Sequence, residues 1–219
     1  MTFAASRRLA CTVAALLGAA ALFTAPHARA QAPADFPNKP LRIIVPFAPG
    51  GATDVLARMV GAKLTESWGQ QVVVDNRPGA GGNIGAEAGA RAAADGYTLT
   101  LAAAGFMAVN PSLYAKLPYD SVKDFAPVSL LVKAPLLLVA NSTLPARTLK
   151  ELIDFAKANP GKLNIGNGGA GTAQHLGGEF FTSAAGISAV HIPYKGSAPA
   201  TNDLLGGVFH AQFDNMVTL

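Results

Sequence analysis

The chain has 219 residues, half of them hydrophobic, with 17 basic against 13 acidic side chains and one cysteine, Cys11. That length and apolar content suit one sizeable packed domain or two small ones and exclude a disordered chain. The first 30 residues hold Arg7, Arg8, Arg29 and Cys11; without them the balance is 14 against 13, which leaves no electrostatic case for nucleic acid and no disulfide or thiol chemistry.

Residues 1–30 read as a cleavable export signal. Arg7 and Arg8 precede an apolar run from Leu9 to Phe23, and Ala28-Arg29-Ala30 is a small-x-small cleavage site. The run is shorter than the roughly 20 apolar residues that a membrane span needs. Gln31 to Pro40 is a polar lead-in. Leu41 to Val45 is a continuous apolar run and predicts a buried strand. A Pro/Gly turn follows, Pro46 to Gly51, and then Val55, Leu56, Met59, Val60 and Leu64 recur at helical spacing. Thr53 or Asp54 is placed to cap that helix. Such a turn aims free backbone N–H groups past the helix start, where the helix dipole also favours an anion. The turn holds no Lys or Arg, so an anion there is bound by backbone.

The logic repeats. Gln71 to Asp75 predicts a second strand, running into the turn Asn76 to Asn83 and a small-residue helix from Ile84 to about Ala93. Tyr97 to Ala102 predicts a third strand, Gly105 to Asn110 a loop and Pro111 to Lys116 a helical turn or two. Val128 to Val132 and Leu136 to Ala140 predict strands. Thr148 with Glu151 forms a capping box for a helix to about Ala158, stopped by Asn159-Pro160-Gly161. Then come a strand at Leu163 to Gly166, a glycine turn to Thr172, a helix from Ala173 to Ala184 and a strand from Ala189 to Pro193. Ser197 caps a helix to Leu205, and Val208 to Phe213 is the last strand. The alternation predicts an α/β fold around mainly parallel sheets.

Several motifs are weaker than they look. Gly166-x-Gly168-x-x-Gly171 matches a dinucleotide fingerprint, but the next strand ends His191-Ile192-Pro193-Tyr194-Lys195, without the acid that holds a ribose. The turn is better read as lining another pocket, and no cofactor is expected. His175 and Glu179 have metal-binding spacing on one helix, yet no further ligand stands at a useful offset, so no metal is expected either. Nucleophile motifs are missing. His191 reads as a satisfied core or hinge histidine. Asp214 either caps the next element or accepts hydrogen bonds from a ligand.

Four stretches together resemble the Bug family, the solute receptors of tripartite tricarboxylate transporters: Pro46-Phe47-x-Pro49-Gly50-Gly51-x-x-Asp54-x-x-Ala57-Arg58; Asn76-Arg77-Pro78-Gly79-Ala80-Gly81-Gly82-x-x-Gly85; Asp95-Gly96-Tyr97-Thr98-Leu99; and His191-Ile192-Pro193-Tyr194-Lys195-Gly196 through Pro199 to Asp203-Leu204-Leu205-Gly206-Gly207. The resemblance runs from about Phe36 to the end. It implies a two-lobed, type II-like periplasmic binding protein, monomeric, without catalysis, that hands a small carboxylate to the subunits of a membrane transporter. Lobe 1 would span 36–140 and lobe 2 141–219. The ligand contacts implied are Phe47, Ala48, Gly50, Gly51, Thr53, Asp54, Gly81, Gly82, Asn83, Ile84, Gly105 and Phe106 from the first lobe, and Gly169, Gly171, Thr172, His175 and Asp214 from the second. Family members continue past Leu219, which predicts a first lobe left incomplete, with an exposed edge, marginal stability and weak binding.

Magnitudes say why two lobes are needed. A partly buried helix start is worth up to about 2 kcal/mol to an anion, so two give about 4. Micromolar binding takes about 8 kcal/mol, and enclosure must supply the rest. This reading requires room between the Gly50 and Gly81 bends. The alternative from another class is a secreted hydrolase or lyase acting on a carboxylate with Asp54, His175 or Asp214 in the same cleft; a sensor partner using the same lobes is a third.

Overall fold

The computed structural model describes residues 36–217, so the expected export signal lies outside them. The apolar run Leu41–Val45 forms β1, the central strand of a three-stranded parallel sheet of order β2-β1-β3. Its neighbours are β2 (Val72–Asn76) and β3 (Thr98–Thr100), with Ile43 in register with Val74 on one side and Leu99 on the other. A strand covered on both faces reads as an unbroken apolar run, as this one does. Helix α1 (Ala52–Trp68) covers one face, with Ala57 packed among Ile43, Val45, Val72 and Val74. Helix α2 (Asn83–Ala90) contributes Ala86 to a second cluster with Phe106, Tyr119 and Phe47. A π-helical turn at Gly105–Val109 leads into the short α3 (Asn110–Leu113).

The second sheet has four strands in the order β4-β7-β5-β6. β5 (Leu163–Asn167) runs parallel to β6 (Ala189–Pro193) and β7 (Ala211–Asn215), while β4 (Leu136–Ala140) pairs antiparallel with β7. Leu163 and Ile165 of β5 pack with Leu144, Leu152, Ala156 and Phe181, which brings in α4 (Leu149–Ala158) and α5 (Ala173–Ala185). A separate cluster joins Ala200 and Leu204 of α6 (Ser197–Leu205) to Phe209, Val139 and Ile192. The capping box of α4 forms: Thr148 Oγ1 accepts from the Glu151 N–H at 3.2 Å, and Glu151 Oε2 accepts from the Thr148 N–H at 3.1 Å.

Five expectations are corrected. Gly105 to Asn110 is not a loop but the π-helical turn and the first residue of α3. Val128 to Val132 is not a strand. No described strand pairs with it, and Val128 is 83% exposed; the apolar run has the composition of a strand but no partner for its backbone groups. The cap of α1 is Gly51, neither Thr53 nor Asp54; the aspartate lies within the first turn and its carboxylate reaches back to the Gly50 N–H at 2.9 Å. Ser197 is the first residue of α6 and Gly196 its cap. The last strand starts at Ala211, because Val208 instead closes the end of α6 by donating its N–H to Asp203 O at 2.9 Å. β4 is hydrogen-bonded into the second sheet, so that sheet begins at Leu136. Both sheets fall within one compact unit. Among the described residues, no helix is long and apolar enough to cross a membrane.

Candidate functional site

The glycine-rich turns all leave the carboxyl ends of strands: β1 into Pro46–Gly51, β2 into Arg77–Gly82, β5 into Gly168–Thr172, β6 into Tyr194–Gly196. In open α/β sheets that is where ligands bind.

The first bend is tied down from inside. Asp54 is 3% exposed and accepts from the Gly50 N–H at 2.9 Å, from Arg58 Nε at 3.0 Å and, through its other oxygen, from Asn76 Nδ2 at 3.1 Å. Burial pushes its carboxyl up, but the Arg58, Gly50 and Asn76 hydrogen bonds outweigh that and hold it below the usual carboxylate value. Asp54 is therefore a fastener for the bend. Gly50's own N–H is used by it, and the Ala48 N–H donates to Lys195 O at 2.9 Å. The donors left for a ligand are those of the first turn of α1, at Ala52 and Thr53, which have no acceptor within the helix. Phe47 turns into the cluster with Phe106 and Ala86.

The second bend is the more unusual backbone. Gly79, Ala80, Gly81 and Gly82 have φ of 132°, 48°, 63° and 100° in succession, a run that L side chains rarely tolerate. Gly81 and Gly82 are buried. Asn83 Oδ1 accepts from Asn110 Nδ2 at 2.6 Å and lies 2.8 Å from the Tyr119 hydroxyl, which also reaches Phe106 O at 2.7 Å. Burial, with a smaller push from Tyr114, raises the Tyr119 phenol to about 12, so it stays a neutral hydrogen-bonding group. Phe106 and Gly105 are buried beside this knot, while Ile84 is half exposed.

In the second half, Thr172 caps α5. Its Oγ1 accepts from the His175 N–H at 3.3 Å and donates to Gly169 O at 2.7 Å, while His175 Nδ1 accepts from the Gly171 N–H at 3.4 Å. Asp214, 1% exposed, accepts from Ser197 Oγ at 2.9 Å, from Gln212 Nε2 at 3.3 Å, and from Gln174 Nε2 and Thr201 Oγ1 at 3.4 Å each. Its Oδ1 also accepts from the Asn215 N–H at 2.8 Å, and the carboxylate knits the end of β7 to the start of α6, where a negative charge suits the helix dipole.

His191 departs from expectation. Its Nδ1 is buried without a partner, and its Nε2 stands 3.6 Å from Glu179 Oε1, with His175 Nε2 at 3.4 Å from the same oxygen. The fold thus supplies the second histidine that linear spacing did not show, because β6 runs beneath α5. Among the described residues, no group of three such side chains has the geometry to hold a metal.

The two halves meet turn against turn. Gly50 and Gly51 lie beside Ala198 and Ser197; Gly81 lies against Ala170 O; a β-carbon on Gly105 would come within 2.7 Å of Gly171 O. The expected room beside the Gly81 bend is therefore not there in this conformation: backbone of the second half fills it. A groove of about 380 Å³ lined by Leu138, Arg147, Leu149, Leu152, Phe181 and Phe213 lies elsewhere, on the α4–α5 side of the second sheet. Sequence reasoning missed Asn110, Asn167 and Tyr119. All three are polar groups buried close to the turns, and single asparagines and tyrosines carry no linear signal of that.

Against known proteins, the family model described as "Tripartite tricarboxylate transporter family receptor" matches residues 56–218. Protein BugT of Bordetella pertussis is 47% identical over 182 residues, which are 83% of this chain and 56% of BugT. Among solved structures, an R. palustris protein with adipate is 40% identical with a TM-score of 0.81, over 83% of this chain and 61% of that one. MatC from Rhodopseudomonas palustris with bound malate is 32% identical with a TM-score of 0.79, over 84% and 62%. The chain thus spans about 60% of the length of these relatives. Its α/β fold is that of periplasmic binding proteins, and the chain belongs to the tripartite tricarboxylate transporter receptor family.

Proposed function

We propose that this chain is the ligand-capturing part of an exported, non-catalytic receptor for a small carboxylate, delivered to a tripartite tricarboxylate-type transporter. One observation carries the proposal: strand-end glycine turns from two sheets meet at a single seam. The acid's negative oxygens take the first-turn N–H groups of α1 and those of Ala80 and Gly81 in the positive φ run, the Gly82 N–H being given to Gly79 O within the bend. The loop from Gly169 to Thr172 closes on it from the second half. The seam is shut in the present conformation, so uptake needs these turns to part, as in hinged domain closure. Relatives solved with adipate and malate support the ligand class.

The hydrolase or lyase alternative would need Asp54, His175 and Asp214 to work together. Each is instead engaged in its own set of hydrogen bonds, Asp54 with Arg58, His175 with Gly171 and Asp214 with Ser197. The test is a thermal-shift and calorimetry screen of small organic acids on this chain, with mass spectrometry of the recovered ligand. A receptor melts later with an acid and returns it unchanged. Turnover, or no response to any acid even at concentrations high enough to saturate a weak site, overturns the proposal.

A further inference from the structure

Buried polar atoms nearly always have a hydrogen-bond partner, so each exception needs a reason. Two exceptions flank the loop from Gly168 to Thr172, one from each half of the molecule. Asn110 is 0% exposed and Asn167 2%. Asn110 gives its Nδ2 to Asn83, while its Oδ1 has no partner and lies where a β-carbon on Gly171 would stand. Asn167 accepts from the Gly169 N–H at 3.0 Å through Oδ1, which fixes the amide's orientation and leaves Nδ2 without a partner. An acceptor and a donor, both out of bulk water, therefore border the same five residues. Among the described residues, no lysine or arginine side chain hydrogen-bonds to this loop or to either asparagine, and the buried carboxylate of Asp214 closes the same end of the sheet.

We propose that Asn110 and Asn167 form a neutral subsite that reads a hydroxyl on the bound acid. The inference rests on the receptor reading above. A hydroxyl donates to Asn110 Oδ1 and accepts from Asn167 Nδ2. A second carboxylate offers acceptors only and meets no cation here. A methylene leaves both amides unmade. A site built to hydrogen-bond a hydroxyl rejects the analogue lacking it far more strongly than an apolar pocket rejects an extra methylene. The glycine bends would hold the carboxylate; these two side chains would choose among carboxylates.

The test is calorimetry on this chain with matched acids: malate against succinate, 3-hydroxybutyrate against butyrate, lactate against propionate. The hydroxylated member of at least one pair should bind about tenfold tighter or more. Asn110→Ala and Asn167→Ala should each bring that ratio close to one. The proposal is overturned if wild-type chain binds both members of every pair alike, or if the variants weaken both members by the same factor. The wild-type comparison needs no substitution, so a variant that fails to fold does not shield the idea. Acids that bind without a hydroxyl preference remove the subsite alone, whereas no binding of any acid removes the receptor reading with it.

Discussion

The carbonyl oxygen of Ala170 occupies the place where a β-carbon on Gly81 would stand. From the other side, a β-carbon on Gly169 would come within 3.4 Å of Gly81 Cα. The seam is backbone against backbone here, and its thickness is set by the lack of side chains. A ligand that enters must displace, or be enclosed by, two peptide strands that already fit each other.

Gly81→Ala should therefore do two things. At φ of 63° an L residue is strained by about 1–2 kcal/mol, and its methyl meets a backbone carbonyl that cannot rotate away. Gly69→Ala is the control. Gly69 has a similar φ of 67° but nothing within 4 Å of its would-be β-carbon. Both variants should melt a few degrees lower, whereas only Gly81→Ala should enlarge the radius of gyration in small-angle scattering and lose acid binding. Equal behaviour of the two would show that the seam does not matter.

Gly51→Val separates binding from folding. Gly51 has φ of −80°, open to any residue, and its would-be β-carbon meets nothing closer than 3.8 Å. The fold should tolerate valine with a stability change within about 1 kcal/mol. The branched side chain then stands over the first turn of α1, and acid affinity should fall by about tenfold or more, the equivalent of about 1.4 kcal/mol. Unchanged affinity in calorimetry would mean that the α1 N-terminus does not hold the ligand.

The architecture was legible because its signals are local. The unbroken Leu41–Val45 run, the Thr148–Glu151 box and the strand–turn–helix alternation depend on near neighbours and reappear in the fold. Val128–Val132 misled for the complementary reason: a strand is completed by a partner, and composition says nothing of whether one arrives. In the site, the glycine turns could be read because positive φ writes itself into the residue type. The packing of Ala170 on Gly81, the approach of His191 to Glu179 and His175, and the unmade atoms of Asn110 and Asn167 join residues up to 89 positions apart or depend on burial, and only the folded chain assembles them.

Asp54→Asn tests whether the aspartate fastens the bend. Asparagine keeps the volume but turns an NH₂ toward one of three donors, the Gly50 N–H, Arg58 or Asn76, that now share the carboxylate. Hydrogen bonds to a charged group are worth about 1.5–3 kcal/mol, so the loss should be about 2 kcal/mol in denaturant unfolding. The folded-state carboxyl is held below its ordinary 3.8. Its contribution is complete above the unfolded value and disappears as pH falls through the lower folded one. The variant should thus differ most from wild type near neutrality and converge with it in acid. A gap that stays constant down to pH 2 would assign the loss to packing.

His191 titrates in the opposite sense to a paired histidine. Burial under α5 pushes its imidazole below 6.5, the neighbouring Glu179 carboxylate pulls it up, and His175, whose ring lies 5.7 Å away edge-on, pushes it down again. Both face it from α5, and its ring packs against the Gly178 backbone between their positions in the sequence. Because the fold prefers the neutral ring, the unfolded chain binds the proton first as pH drops. The stabilisation is therefore whole above about 6.5 and is lost as pH falls from there toward the depressed folded value. Melting temperature should decline between pH 7 and pH 5, and His191→Gln, which keeps a polar group without the titration, should flatten that decline. An undiminished slope in the variant would show that His191 is not the group behind the acid sensitivity.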